Sequence, residues 1–146
     1  MDLEQQYLVA KPEDFKPLIK QLIESESDNL IIALEGDLGA GKTTFTQELG
    51  KCLGVEEVIT SPTFTIMKQY NLSDKKFKTL VHIDAYRIES EAEVEPLHIK
   101  ELLENPNTVI CIEWPENIRE VIPSTAKKVT ISISEGEQRQ VTLSHF

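Results

Sequence analysis

Short apolar runs alternate with polar, turn-forming stretches along the 146-residue chain, and the period of the apolar positions assigns an element to each run. Tyr7-Leu8-Val9 reads as a short edge strand. Phe15, Leu18, Ile19, Leu22 and Ile23 recur at helical spacing and define one buried face. Asp14 is placed to cap that helix, with Pro17 in the first turn, where a missing N–H costs little. Leu30 to Leu34 is apolar without alternation and ends in Glu35-Gly36, the pattern of a parallel strand buried on both faces. A helix is predicted from Lys42 to Leu53, stopped by Gly54.

Thr63 to Tyr70 is rich in β-branched and aromatic residues and reads as a strand. A polar link, Leu72-Ser73-Asp74-Lys75-Lys76, joins it to a second apolar strand, Thr79 to Ile83, that ends at Asp84. So short a link predicts antiparallel neighbours. Glu91 to Glu104 reads as helical, with a restart at Pro96 and a break at Asn105-Pro106-Asn107. Thr108 to Ile112 is another buried-type strand, ending at Glu113, and Pro115 to Val121 a short helix. Val129 to Ser134 and Gln140 to Ser144 alternate around Glu135-Gly136, a hairpin signal. The expected architecture is a single α/β domain over residues 1–146, three-layered, with a mostly parallel central sheet and added antiparallel strands.

Composition narrows the function classes. Fifteen basic against 25 acidic residues leave a net charge of −10, which argues against gripping nucleic acid directly, because phosphate neutralisation needs clustered Lys and Arg. No apolar run has the ~20 residues of a membrane span. The acidic start, Met1-Asp2-Leu3-Glu4, lacks the pattern of a signal peptide. Cys52 and Cys111 have no C-x-x-C spacing and read as two buried, reduced thiols.

The segment Gly36-Asp37-Leu38-Gly39-Ala40-Gly41-Lys42-Thr43 fits G-x-x-x-x-G-K-[ST], the Walker A pattern, between a buried strand and a helix. Glycines let successive N–H groups turn towards phosphate oxygens. Lys42 brings a positive charge to the β- and γ-phosphates, the Thr43 hydroxyl suits Mg²⁺, and the helix start adds its positive end. Hydrolysis also needs a carboxylate for Mg²⁺ or for water. Asp84 and Glu113 both stand at the ends of apolar strands, where ligands of open α/β sheets bind. The residues alone do not say which of the two contacts the metal. Ser61-Pro62-Thr63 is a hydroxyl-bearing loop able to reach the γ-phosphate, or a plain turn. Trp114, the only tryptophan, either stacks near the nucleotide or packs. Arg87 suits a carboxylate, a phosphate or a partner; His82 reads as a core or edge histidine; Glu89, Glu91, Glu93 and Glu95 read as a solvated face.

The loop with Thr44, then Ser61-Pro62-Thr63-Phe64, then His82-Ile83-Asp84-Ala85-Tyr86-Arg87, then Ile112-Glu113-Trp114, occur in an order that closely resembles the TsaE (YjeE) family, bacterial P-loop ATPases of tRNA threonylcarbamoyladenosine formation. The resemblance runs over nearly the whole chain. It implies a cytoplasmic ATP hydrolase working with the TsaD–TsaB pair, which transfers the threonylcarbamoyl group, so that tRNA is met only indirectly. It implies that Lys42 and the loop amides hold phosphates, that Thr43 and Glu113 coordinate Mg²⁺, that Asp84 supports metal or water, and that Thr63 belongs to a switch-like loop. Lys11 would border the adenine. A small GTPase should carry D-x-x-G and N-K-x-D, which are absent from the sequence, and a small-molecule kinase needs an arginine-bearing lid that three scattered arginines do not supply. A nucleotide-dependent binding module with little hydrolysis is the remaining alternative. Hydrolysis is expected to be weak alone and to rise with the partner pair.

Overall fold

The elements follow the apolar pattern closely, and one seven-stranded sheet collects them. The computed structural model describes residues 4–146 except 26–27, 38, 61–66, 75, 94 and 96–97. Strand β1 (Gln5–Val9) leads through a 3-10 turn (Pro12–Phe15) into helix α1 (Lys16–Ser25). Strand β2 (Leu30–Gly36) precedes helix α2 (Lys42–Leu53), which stops at Gly54 as expected. Strands β3 (Met67–Asn71) and β4 (Thr79–Asp84) are followed by helix α3 (Ile99–Leu103), strand β5 (Thr108–Glu113) and the hairpin of β6 (Lys127–Ile133) and β7 (Arg139–His145).

The sheet order is β1-β7-β6-β2-β5-β4-β3. β6, β2, β5 and β4 run parallel, and β3, β7 and β1 are added by antiparallel pairing. The non-alternating runs are therefore the central strands, buried on both faces. Leu30, Ile32, Leu34, Leu80, Val109 and Cys111 pack on one face beneath α1 and α2, where Phe15 meets Phe45 edge-on at 5.4 Å. Ile31, Val81, Ile83, Ile110 and Ile112 pack on the other face, against α3 and the turns at 115–121. The three expected layers result.

Four readings need correction. Asp14 does not cap α1 forwards; it lies inside the preceding turn, and its carboxylate accepts the amides of Ala10 and Lys11 at 2.9 and 3.1 Å. The helix expected over 91–104 is broken. Glu93 folds back to accept the amides of Glu89 and Ser90, which closes a single 3-10 turn at Glu91–Glu93, and α3 begins only after His98, whose φ is +54°. Pro115–Val121 forms 3-10 turns kinked at Ile118 instead of a regular helix. Cys111 is buried but Cys52 is exposed; both are free thiols. The strand expected from Thr63 is described only from Met67. Among the described residues no helix is long and apolar enough to cross a membrane.

Two tests follow from this packing. A Cβ on Gly36 would stand 2.7 Å from the Ile131 carbonyl oxygen, where β2 meets β6. Gly36→Ala must push the backbones of β2 and β6 away from each other, and a loss of about 1–3 kcal/mol in urea unfolding is expected; unchanged stability would show that the strands yield. The amides of Ala10 and Lys11 hold the Asp14 carboxyl below its ordinary value. A lowered folded value gives stability that is present above the ordinary carboxylate range and lost as pH falls through the lowered value. Asp14→Ala should therefore melt below wild type at neutral pH, with the gap closing in acid. A gap independent of pH would refute the assignment.

Candidate functional site

Between the end of β2 at Gly36 and the start of α2 at Lys42 the chain turns sharply, and glycine makes the turn possible. Gly39 and Gly41 have φ of +82° and +112°, a region that residues with a Cβ resist. An ideal Cβ on either meets no heavy atom within 4 Å, so the loop lines an open cradle. The Asp37 carbonyl accepts the Ala40 amide at 3.0 Å, and the Gly41 carbonyl accepts Phe45 at 2.9 Å. From β7, the Arg139 Nε donates to the Ala40 carbonyl at 3.0 Å and braces the loop from outside. The first amides of α2 have no partner within the helix, and no acidic side chain occupies its first turn. Among the described residues the positive end of α2 therefore carries no side-chain cap.

Lys42 is only 6% exposed, and its ammonium lies 4.2 Å from the centroid of the Trp114 ring. The indole in turn leans on Tyr86 at 5.0 Å. Such a cation–π contact is worth about 0.5–2 kcal/mol. Each charge-assisted hydrogen bond to a phosphate contributes about 1.5–3 kcal/mol, and an ammonium has three donors. A phosphate in the cradle therefore wins Lys42 from the ring. A cleft of about 500 Å³, lined by Gly36, Asp37, Tyr86, Trp114, Asn117 and Ser132 among others, opens beside this group.

Strand register brings the carboxylates to the loop. Leu34 of β2 pairs with Glu113 of β5, and Glu113 pairs with Asp84 of β4. Both carboxylates thus stand at the same edge of the sheet, two residues short of Gly36 along β2. Asp84 Oδ1 accepts the Tyr86 amide at 3.0 Å, and the Ala85 amide donates to the Glu113 carbonyl at 3.0 Å, which fixes the turn after β4. Asn117 Nδ2 donates to the Ala85 carbonyl at 2.9 Å and ties this turn to the segment after Trp114. The Nε2 of fully buried His82 meets Glu113 Oε2 at 2.6 Å.

Below the loop, Thr46 Oγ1 donates to the Lys42 carbonyl at 3.1 Å and lies 3.6 Å from Cys111 Sγ. Burial pushes the Cys111 thiol up to about 12; the Thr46 contact opposes the rise and the Glu113 charge adds to it. A thiol held there is not a nucleophile at neutral pH. The chemistry the site can support is therefore anion binding and carboxylate chemistry, not thiolate attack.

A divalent cation fits this donor set. Among the described residues no three His, Cys, Asp or Glu side chains form a cage. Mg²⁺ does not ask for one, since it takes one or two carboxylates beside substrate phosphates and water. Asp84 and Glu113, with the Thr43 hydroxyl in the first turn of α2, match that demand.

A family model described as "Threonylcarbamoyl adenosine biosynthesis protein TsaE" matches residues 9–141. The chain belongs to the TsaE family. The TsaE protein of Bacillus subtilis (strain 168) is 35% identical over 133 residues, covering 91% of this chain and 80% of that one. That of Nostoc is 40% identical over 119 residues, covering 80% and 70%. The crystal structure of Bacillus subtilis YdiB superposes with a TM-score of 0.76 at 30% identity, over 99% of this chain and 87% of the other. Both relatives carry the name tRNA threonylcarbamoyladenosine biosynthesis protein TsaE, so this chain is a member of a family of tRNA modification.

Of the residues expected at a TsaE site, Gly36, Asp37, Gly39, Ala40, Gly41, Lys42, Thr43 and Thr44 form the loop and the first turn of α2, and Asp84, Glu113 and Trp114 lie at the adjoining strand ends. Leu38 and the Ser61-Pro62-Thr63 loop lie outside the described residues. Lys11 is exposed just beyond β1, whose Val9 pairs with Arg139, the brace of the loop. Sequence reasoning gave Arg139 no role; His82, read as a core or edge histidine, is fully buried as that reading expected, and only its contact with Glu113 was not foreseen. For His82 a signal existed, a polar residue two before Asp84 on one strand face.

The single tryptophan reports on Lys42. Lys42→Met removes the cation from the indole face, and the Trp114 emission intensity of the ligand-free protein should change. Identical spectra would show that the ammonium does not sit over the ring in solution.

Proposed function

We propose that this chain is a Mg²⁺-dependent P-loop ATPase that supports threonylcarbamoylation of tRNA, acting with the TsaD–TsaB pair in the cytoplasm and not transferring the group itself. The observation that carries the reading is the row Leu34–Glu113–Asp84, which puts two carboxylates beside the strand that feeds a Walker A loop. The loop amides and the start of α2 bind the phosphates of ATP, and Lys42 leaves Trp114 to bring its charge to the β- and γ-phosphates. Thr43 and Glu113 hold the metal, and Asp84 supports the metal or orients the attacking water. Bound Mg²⁺ supplies a Lewis-acid charge at the phosphate oxygens. Lys11 borders the adenine, and Thr63 belongs to a switch-like loop facing the γ-phosphate. A net charge of −10 suits a protein that reaches tRNA through partners and not by its own surface.

Family membership supports the pathway, and the cradle, the free helix end and the carboxylate row support the chemistry.

Phosphate release from Mg-ATP and Mg-GTP, with the chain alone and then with the purified pair, tests the reading. ATP-selective turnover that rises with the pair is expected. Preference for GTP, or indifference to the pair, would overturn it, and tight ATP binding without release would favour a nucleotide-dependent binding module. Lys42→Ala should weaken ATP binding by about 10–100-fold, the loss of about one charged hydrogen bond. Glu113→Ala should cost turnover more than affinity; wild-type turnover in both variants would refute the site.

A further inference from the structure

A fully buried histidine on a sheet strand is an expensive choice, since an apolar residue would pack there without losing its hydration. His82 is 0% exposed on β4, between Val81 and Ile83 in sequence and opposite Cys111 of β5. Its Nε2 meets Glu113 Oε2 at 2.6 Å, and its Nδ1 has no partner among the described residues. These two facts set the direction of the bond. An orphaned buried N–H is rarer in proteins than an orphaned acceptor. A carboxylate oxygen can only accept, so the hydrogen belongs on Nε2, which donates to Glu113.

The geometry makes this contact specific. On a strand, alternate residues share a face, and paired residues of neighbouring strands share it too. His82, Asp84, Cys111 and Glu113 therefore lie on the α2 side of the sheet. His82 reaches diagonally from its own pairing position to the next residue on that face of β5. One oxygen of Glu113 is committed to the imidazole, which restricts rotation of the carboxylate. Cys111, the pairing position of His82 on β5, lies 3.6 Å from Thr46 Oγ1, which in turn donates to the Lys42 carbonyl.

We infer that His82 is a positioning residue, which by donating Nε2–H to Glu113 Oε2 holds that carboxylate in the orientation a divalent cation needs. The inference rests on the assignment of Glu113 to the metal, proposed above. His82 touches neither metal nor nucleotide; it acts through Glu113, as hydrogen-bond partners of ligating carboxylates do.

The test measures Mn²⁺ binding by electron paramagnetic resonance on the whole chain with ADP present, and ADP binding separately without metal. His82→Leu should weaken Mn²⁺ binding by about 10-fold or more, the usual cost of removing such a partner. ADP binding without metal should hold. His82→Gln, which keeps an N–H donor, should recover some of the loss. In a Glu113→Gln background His82→Leu should have no further effect on Mn²⁺. Should His82→Leu fail to fold, His82→Met, longer and more adaptable, takes its place against His82→Gln. Unchanged Mn²⁺ binding in a folded donor-less variant would overturn the inference, as would a parallel loss of metal-free ADP binding, the mark of a general structural role. Failure of the underlying reading looks different: Glu113→Gln itself would then leave Mn²⁺ binding unchanged.

Discussion

The parallel register of β2, β5 and β4 is the constraint on which the site depends. A parallel ladder has no freedom to slip by one residue without turning every side chain to the opposite face. Here such a slip would drive Glu113 into the apolar layer packed on α3 and bring Ile112 out beneath α2. The register is held by residues with no chemistry of their own: Leu30, Ile32 and Leu34 on one face of β2, and Ile31 on the other. The core thus aligns Asp84 with Glu113, and the loop glycines stand beside strand ends already in register.

Most of this was legible because the signals are local. The non-alternating runs at 30–34 and 108–112 announced buried parallel strands, and the glycines, Lys42 and Thr43 announced the loop. The helix from Lys42 to Leu53 was readable because its start is fixed by the motif and its end by Gly54. Two of the misreadings share a cause. Asp14 and Glu93 are acidic residues whose carboxylates bind backbone amides before them in the chain, and composition does not tell a forward cap from a backward one. In the 91–104 segment helical periodicity was real, but a backward-bonded Glu93 and a positive φ at His98 divided it. The site contacts that escaped notice are tertiary. Arg139 is 99 residues from Ala40, and nothing near it in the sequence marks it as the brace of a loop.

Lys42, Trp114 and Tyr86 form a stack in which an apolar surface shelters a charge. A lysine this deeply buried, with no carboxylate paired to it among the described residues, would pay heavily for desolvation. The indole face offsets some of that cost while leaving the ammonium more weakly held than a carboxylate would leave it. An acidic partner in the same place would compete with phosphate for the lysine. The aromatic partner therefore keeps the cation both ordered and available.

The Arg139–Ala40 contact has a consequence for how the site comes into being. The loop, its lysine and its threonine are complete in the growing chain once α2 has been made. Their brace is not, for it is carried by β7, and β7 is also the strand on which β1 is paired. On the ribosome the cradle thus exists first as an untied loop on a half-built sheet. It acquires its final stiffness when the hairpin of β6 and β7 zips into place beside β2. Stiffening of the cradle is thereby tied to closure of the far side of the sheet, and a chain lacking the hairpin would display the motif without its brace.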